Sequence, residues 1–250
     1  MKNNSTKNEL AIAKKSAIEA GSLLLRNKKT LNQEILSTKK DIKLKADILA
    51  EKVIKTIIEN ESDYPILAEE SGFSSNIDSS TFWVVDPLDG TANYARNIPI
   101  CCVSIALISD LKPILGVIYD FINDDLYEGS IHTKALLNSK KISVSQVKDS
   151  SEGILITGLP NNTDYSDSAL LKMVKDFQNW RKVRMIGSAA MASVYVASGK
   201  ADLYKEKKTY LWDIAAGAAI VNAAGGEASI VNQNKNFQVD VLFSNSHLKI

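Results

Sequence analysis

The sequence predicts a mixed α/β (α+β) protein of two closely packed lobes, and three observations carry that expectation. Two amphipathic helical stripes open the chain. Three apolar, strand-like runs parted by turn residues come next. Beyond residue 140, strand-like and helix-like segments alternate.

The first stripe covers 8–28, where Leu10, Ala13, Ala17, Ala20 and Leu24 fall on one face at helical spacing. Residues 46–60 repeat the pattern with Val53, Ile54, Ile57 and Ile58. Tyr64–Ala68 reads as a short strand ending at Glu69-Glu70, before a polar, serine-rich loop at Ser71–Ser80. Thr81–Val85 is β-branched and aromatic, and is expected to stop at Asp86-Pro87 because proline has no N–H for the ladder. Cys101–Ile108, Pro113–Tyr119 and Asp125–Ile131 form an expected antiparallel meander. The polar stretch Lys140–Glu152 then crosses between the lobes, 1–139 and 140–250. The second lobe reads as strand Ile154–Leu159, helix Ser168–Asn179, strand Val183–Ile186, helix Ser188–Ser198, strand Ala201–Tyr204 and helix Trp212–Ala224. Gly225-Gly226 is a C-terminal helix stop.

A chain of 250 residues with 45% hydrophobic and 24% charged content buries a sizeable core. The formal net charge of +1 gives no global field toward a nucleic acid polymer or a membrane surface. No stretch approaches the roughly 20 apolar residues of a membrane span. Cys101 and Cys102 are adjacent, so they point to opposite faces of a strand and form no mutual disulfide. Reduced cysteines and a polar start to the chain predict a cytoplasmic protein. His132 and His247 lie outside every motif and read as surface or structural residues.

The chemistry concentrates in acids. Glu69-Glu70 and Asp86-x-x-Asp89 follow apolar strands, while Asp47 and Asp213 open helices. Strand ends are where α/β folds place their sites, and converging carboxylates repel one another unless a cation neutralises them. Hard cations such as Mg²⁺ take oxygen ligands of this kind. In Asp86-Pro87-Leu88-Asp89, Pro87 stiffens the turn and the Leu88 carbonyl offers a further oxygen. Gly90 admits close backbone approach to an anion, and Thr91 opens a helix whose N–H groups favour phosphate. Each feature also has a plainer reading. Asp-Pro and Asp-Gly are common turns, Asp213 is suited to capping a helix, and Glu69-Glu70 suits a solvated loop end.

Leu67-Ala68-Glu69-Glu70-Ser71, followed by Trp83-Val84-Val85-Asp86-Pro87-Leu88-Asp89-Gly90-Thr91-Ala92-Asn93-Tyr94, resembles the inositol monophosphatase family. Trp212-Asp213-Ile214-Ala215-Ala216-Gly217, with Ala224-Gly225-Gly226, resembles that family's second signature. Order and spacing match from Asp41 to Ser244-Asn245. The resemblance implies a layered αβαβα sandwich of the inositol monophosphatase and fructose-1,6-bisphosphatase type. It also implies Mg²⁺-dependent, lithium-sensitive phosphomonoester hydrolysis with two or three ions per site, and a homodimer. It assigns Glu69, Asp86, the Leu88 carbonyl, Asp89 and Asp213 as metal ligands. Thr91 matches the threonine that orients the attacking water, Asp47 its acidic partner, and Glu70 a supporting acid. Gly90 and Thr91 match the phosphate-binding turn. The chain departs from the family at Leu44, where a threonine is usual three residues before Asp47, and Lys39, Lys40 and Asp41 correspond to the polar lead-in.

For the substrate, Gly187-Ser188-Ala189 matches a loop that contacts it, though Ser188 equally suits a helix cap. Glu206, seven positions before Asp213, matches an acid that binds substrate hydroxyls. The resemblance assigns Asp213 to the substrate as well. This favours a small phosphorylated polyol or sugar. Lys205, Lys207 and Lys208 suit either a second phosphate or a solvated loop. With a second phosphate the substrate becomes 3′-phosphoadenosine 5′-phosphate, for a 3′(2′),5′-bisphosphate nucleotidase, or fructose 1,6-bisphosphate. A non-catalytic binding or regulatory protein on the same fold is the reading from a different class.

Overall fold

The computed structural model describes residues 2–37, 42–74, 80–160 and 163–249. The first half runs α1 (Lys2–Arg26), α2 (Lys28–Leu31), β1 (Glu34–Ser37), β2 (Ile42–Leu44), α3 (Lys45–Glu61), β3 (Ile66–Ala68), β4 (Gly72–Phe73), β5 (Thr81–Asp89), α4 (Thr91–Ala95), β6 (Cys102–Ser109), β7 (Lys112–Asp120), β8 (Asp125–Ser130), β9 (Thr133–Leu137) and β10 (Lys140–Lys141). The second half runs β11 (Ile154–Ile156), α5 (Asp167–Phe177), β12 (Lys182–Arg184), α6 (Ala189–Ala197), β13 (Leu203–Tyr210), α7 (Leu211–Ala223), β14 (Glu227–Val231) and β15 (Gln238–Ser244).

Two sheets sort these elements into α/β layers. An eight-stranded sheet has the order β10-β9-β8-β7-β6-β5-β3-β4, and a five-stranded sheet the order β12-β11-β13-β15-β14. Helices α1 and α3 cover one face of the larger sheet, where Ala13, Ala17, Ala20 and Leu24 meet Ile54, Ile58 and Val103. Helices α6 and α7, whose residues are mostly apolar and buried, fill the space between the sheets, against Val84, Ala106, Tyr204 and Phe243. A helix apolar on all sides needs this double cover. Helix α5 buries no residue and lies outside, where the Asp176–Lys205 ion pair ties it to β13. Successive strand residues face opposite ways, so Cys101 enters the α1/α3 core and Cys102 the central one, both as free thiols.

Several elements depart from the sequence expectations. The first helix ends at Arg26 and one short turn, α2, follows. Strand β5 runs through Pro87 to Asp89 rather than stopping at Asp86. It does so by a bulge: Asp86 pairs with Ser104 and Asp89 with Cys102, so Pro87 and Leu88 together face one residue of β6. A bulge leaves a residue unpaired, so the missing proline N–H costs no ladder bond. Strand β13 continues to Tyr210, well past Tyr204, because β15 pairs along it. The hairpin β1–β2 and strands β9, β10, β14 and β15 were not expected. In the serine-rich segment, Gly72–Phe73 form β4 and residues 75–79 lie outside the described residues, as do Lys39, Lys40 and Asp41. Among the described residues no helix is long and apolar enough to cross a membrane.

Ile54 is fully buried on α3, the helix that also carries Asp47 and Glu51. Ile54→Ala should lower the unfolding free energy by about 2–5 kcal/mol in urea titration, the usual cost of such a cavity.

Candidate active site

Two strand ends and two helix starts bring the acids together. Glu69 follows β3, and its backbone N–H still pairs with Val85 O of β5 at 3.1 Å. Asp86 and Asp89 flank the β5 bulge. The bulge is stabilised locally, because Leu88 N donates to Asp86 Oδ1 at 3.0 Å. Gly90 then adopts a left-handed conformation at φ 86°, and a Cβ there would lie 2.7 Å from Ile100 O. No other residue fits without strain.

Asp47 and Asp213 share one arrangement. Each is the third residue of its helix, and its carboxylate reaches back to the residue before the helix. Asp47 Oδ2 accepts from Leu44 N at 2.7 Å, and Asp213 Oδ2 accepts from Tyr210 N at 3.0 Å. Asp213 is therefore not the capping residue itself; Tyr210 holds that position. The reciprocal half of a capping box survives at Asp47 although Leu44 has no side-chain acceptor. Thr209 Oγ1 also donates to Asp213 Oδ2, at 2.7 Å. Thr91 Oγ1 stands 3.1 Å from Asp47 Oδ1 and 3.0 Å from Leu88 O. Its single hydrogen goes to one of the two at a time.

Asp89 is seated on the start of α6. Ser188 Oγ donates to its Oδ2, Ala190 N donates to the same oxygen at 2.9 Å, and Ala189 N approaches Oδ1 at 3.3 Å. Ser188 also caps α6 by accepting from Met191 N. The three residues expected at the substrate are thus tied to a carboxylate and a helix end. Gly187 O and Ile186 O accept from Asn93 Nδ2, which also reaches Ile100 O. Asn93 therefore joins α4 to the α6 start. Glu70 pairs with Lys43, and its N–H donates to Glu51 Oε2 at 2.9 Å. Glu51 is buried and fixes the Glu69–Glu70 turn. Sequence reading missed Asn93 and Glu51, because a buried polar residue on a helix looks like any exposed one until the fold is known.

The electrostatics are those of carboxylates short of positive charge. Burial comes first in raising Glu69 and Asp86 well above their usual ranges, and the neighbouring acids raise them further. The two carboxyls interact directly, and for Asp86 the charge of Glu69 is the largest cause after burial. Glu69 keeps exposed surface, so the acid group borders solvent on this side. Asp89 is raised by burial against the lowering effect of Ser188 and the α6 N–H groups. Burial lifts Asp47 to about 6 despite its bonds to Leu44 and Thr91. Among the described residues, no three His, Cys, Asp or Glu side chains form a finished metal-ligand group. The reason is visible in the bonds above: Asp86, Asp89 and Asp213 each lean on a protein donor. A carboxylate has about four acceptor positions, so each keeps capacity for a cation. An all-oxygen set with excess negative charge fits Mg²⁺.

Glu206 lies beside this group on β13. Tyr204 Oη donates to its Oε2 at 3.2 Å, and burial followed by the charge of Asp213 lifts it to about 8. Lys205 is committed to Asp176, and Lys208 N donates to Asp240 Oδ1. His132 is exposed and His247 partly buried, both away from these acids.

A layered α/β fold with buried acids at strand ends defines a phosphatase-like architecture, and comparison with known proteins gives it a family. The family profile described as "Inositol monophosphatase family" matches residues 6–248. "Nus factor SuhB" of Xylella fastidiosa is 40% identical over 216 residues, covering 85% of this chain and 78% of that protein. "Inositol-1-monophosphatase" of Synechocystis is 37% identical over 198 residues, covering 76% and 67%. The solved inositol monophosphatase of Anabaena superposes with a TM-score of 0.84 at 31% identity, covering 97% and 92%. The chain belongs to the inositol monophosphatase family, whose members are generally Mg²⁺-dependent phosphatases of small phosphorylated substrates.

The raised Glu206 has a stability consequence. Its folded value of about 8 exceeds the ordinary 4.5, so the folded state holds the proton more tightly. The resulting stabilisation is complete below the unfolded value and is lost as pH rises toward 8. In chelator, thermal unfolding should therefore show falling stability between pH 5 and about 8, and Glu206→Gln should flatten that fall.

Proposed function

We propose that this chain is a Mg²⁺-dependent phosphomonoesterase of a small phosphorylated polyol or sugar, of the inositol 1-phosphate type. One observation carries the reading: the charges of Asp89 and Asp213 bear on Glu69 and Asp86, and Asp213 in turn bears on Glu206, whose carboxyl oxygens can accept hydroxyl hydrogens. Glu69, Asp86, the Leu88 carbonyl, Asp89 and Asp213 would hold two or three Mg²⁺ ions. When bound, Mg²⁺ supplies charge neutralisation for the phosphoryl oxygens and acidifies a water.

The chain's own groups do the rest. With its hydrogen given to Asp47, Thr91 Oγ1 presents lone pairs that accept from the attacking water and orient it. Asp47 holds that polarity and can take up the proton. The first N–H groups of α4 have no partners within the helix, which leaves them as donors for phosphate oxygens. Helix α4 has only five residues, so these N–H groups matter more than a macrodipole. Glu70 and Lys43 brace the turn carrying Glu69. Phosphoryl transfer needs positioning and charge compensation, so no cysteine or histidine nucleophile is called for. The two lobes, 1–139 and 140–250, act as one catalytic unit. Free buried cysteines support a cytoplasmic setting. Exposed Leu171 and Val174 on α5 support a homodimer, which light scattering would test.

A phosphatase screen over inositol, sugar and nucleotide phosphates, with Mg²⁺ and with added Li⁺, tests the reading. Preference for inositol 1-phosphate over 3′-phosphoadenosine 5′-phosphate supports it, and the reverse order supports the bisphosphate nucleotidase. The Lys205–Asp176 pair weighs against a second phosphate at Lys205. The name "Nus factor SuhB" borne by relatives favours one further reading, a non-catalytic binding or regulatory protein on the same fold. A chain that hydrolyses no phosphomonoester in a broad panel with Mg²⁺ would favour it.

Asp89→Asn should remove most turnover while leaving far-ultraviolet circular dichroism unchanged. Undiminished turnover would sink the ligand assignment. Thr91→Val should lower kcat on the order of 100-fold, as for loss of an acid–base partner, with KM nearly constant.

A further inference from the structure

Glu206 is held from two directions by residues outside the family signatures quoted above. Tyr204 is fully buried and lies two residues earlier on the same face of β13. Its hydroxyl donates to Oε2 of Glu206, leaving Oε1 free of that bond. The second support is an absence of side chain. Strands β11 and β13 pair in parallel, with Leu155 beside Leu203 and Ile156 beside Tyr204. The same offset carried on sets Gly158 level with Glu206. A Cβ at position 158 would collide with Glu206 Oε2 and lie 2.8 Å from its Cδ and 3.1 Å from Oε1. All three nearest atoms belong to that one carboxylate. The group forced to yield is the tip of a side chain and not backbone, so a small substitution moves the carboxylate and spares the fold.

We infer that Gly158 and Tyr204 are positioning residues for substrate selection. Together they hold the Glu206 carboxylate at one place, which makes the site select phosphate esters whose carbon skeleton offers a hydroxyl donor there. The proposal rests on the reading that Glu206 meets substrate hydroxyls. The geometry adds why the acceptor has a fixed position. The Tyr204 hydroxyl anchors one oxygen from behind, and the bare Cα of Gly158 leaves the space the carboxylate occupies. A hydrogen bond discriminates well only when the acceptor cannot follow a misplaced ligand.

The test uses the full chain with Mg²⁺ and two substrates: inositol 1-phosphate, and p-nitrophenyl phosphate, which has no hydroxyl. Selectivity is the ratio of their kcat/KM values. Gly158→Ala should lower selectivity roughly tenfold, the worth of one hydrogen bond, through KM for inositol 1-phosphate with kcat retained. Tyr204→Phe should act in the same direction. Added to Glu206→Ala, Gly158→Ala should change nothing more, because the group it displaces is gone. Unchanged selectivity in Gly158→Ala, or a further loss on the Glu206→Ala background, overturns the proposal. If Glu206→Ala itself leaves selectivity unchanged, the substrate reading of Glu206 fails and the proposal falls with it. A loss in Glu206→Ala but not in Gly158→Ala defeats the positioning role alone. A crystal structure of Gly158→Ala with the carboxylate unmoved defeats it without reference to activity.

Discussion

The carboxyl groups of Glu69 and Asp86 bear directly on each other, and Asp89, Asp213 and Asp47 add negative charge around them. Gathering so many acids opposes folding, because each loses water and repels the others. The architecture is arranged to tolerate this. Asp89 takes hydrogen bonds from Ser188 and the start of α6, while Asp47 and Asp213 reach back to the backbone ahead of their own helices. What these donors leave uncompensated is excess negative charge, which a divalent cation would relieve. Stability and chemistry are thus coupled through the same oxygens.

The β5 bulge is the local device that makes the arrangement possible. By placing Pro87 and Leu88 opposite one residue of β6, it turns the strand while keeping Asp86 and Asp89 in the ladder. It also presents the Leu88 carbonyl and leads directly into Gly90, whose left-handed conformation starts α4. Backbone strain is confined to a glycine, where it costs least. Helix α7 serves the same end from the opposite side. It is buried between the two sheets, so Asp213 at its start is held by the central core rather than by a loop.

The proposed substrate side is built differently from the proposed metal side. Glu206 is placed by a tyrosine hydroxyl and by missing atoms at Gly158, both in the second lobe. The acids Glu69, Asp86 and Asp89 come from the first. A reaction common to many phosphate esters can then be kept while the second lobe varies what lies beyond the phosphate.

Much of this was readable from the chain. The helical stripes of α1 and α3, the meander β6–β8 and the acids following β3 and β5 show in periodicity and spacing, because the burial pattern repeats within a few residues. The length of β13 was not readable, since its partner β15 comes only after α7 and β14; β14 pairs with the adjacent β15 and buries none of its residues, so it shows no apolar alternation. The same divide runs through the site. Asp86, Asp89 and Gly90 stand within five residues, where local backbone chemistry makes them a recognisable turn. Glu51 under the Glu69 turn, Asn93 bridging α4 to α6, and Gly158 against Glu206 are joined only by the packing of distant segments. No spacing rule encodes such contacts, because they depend on how whole layers settle against one another.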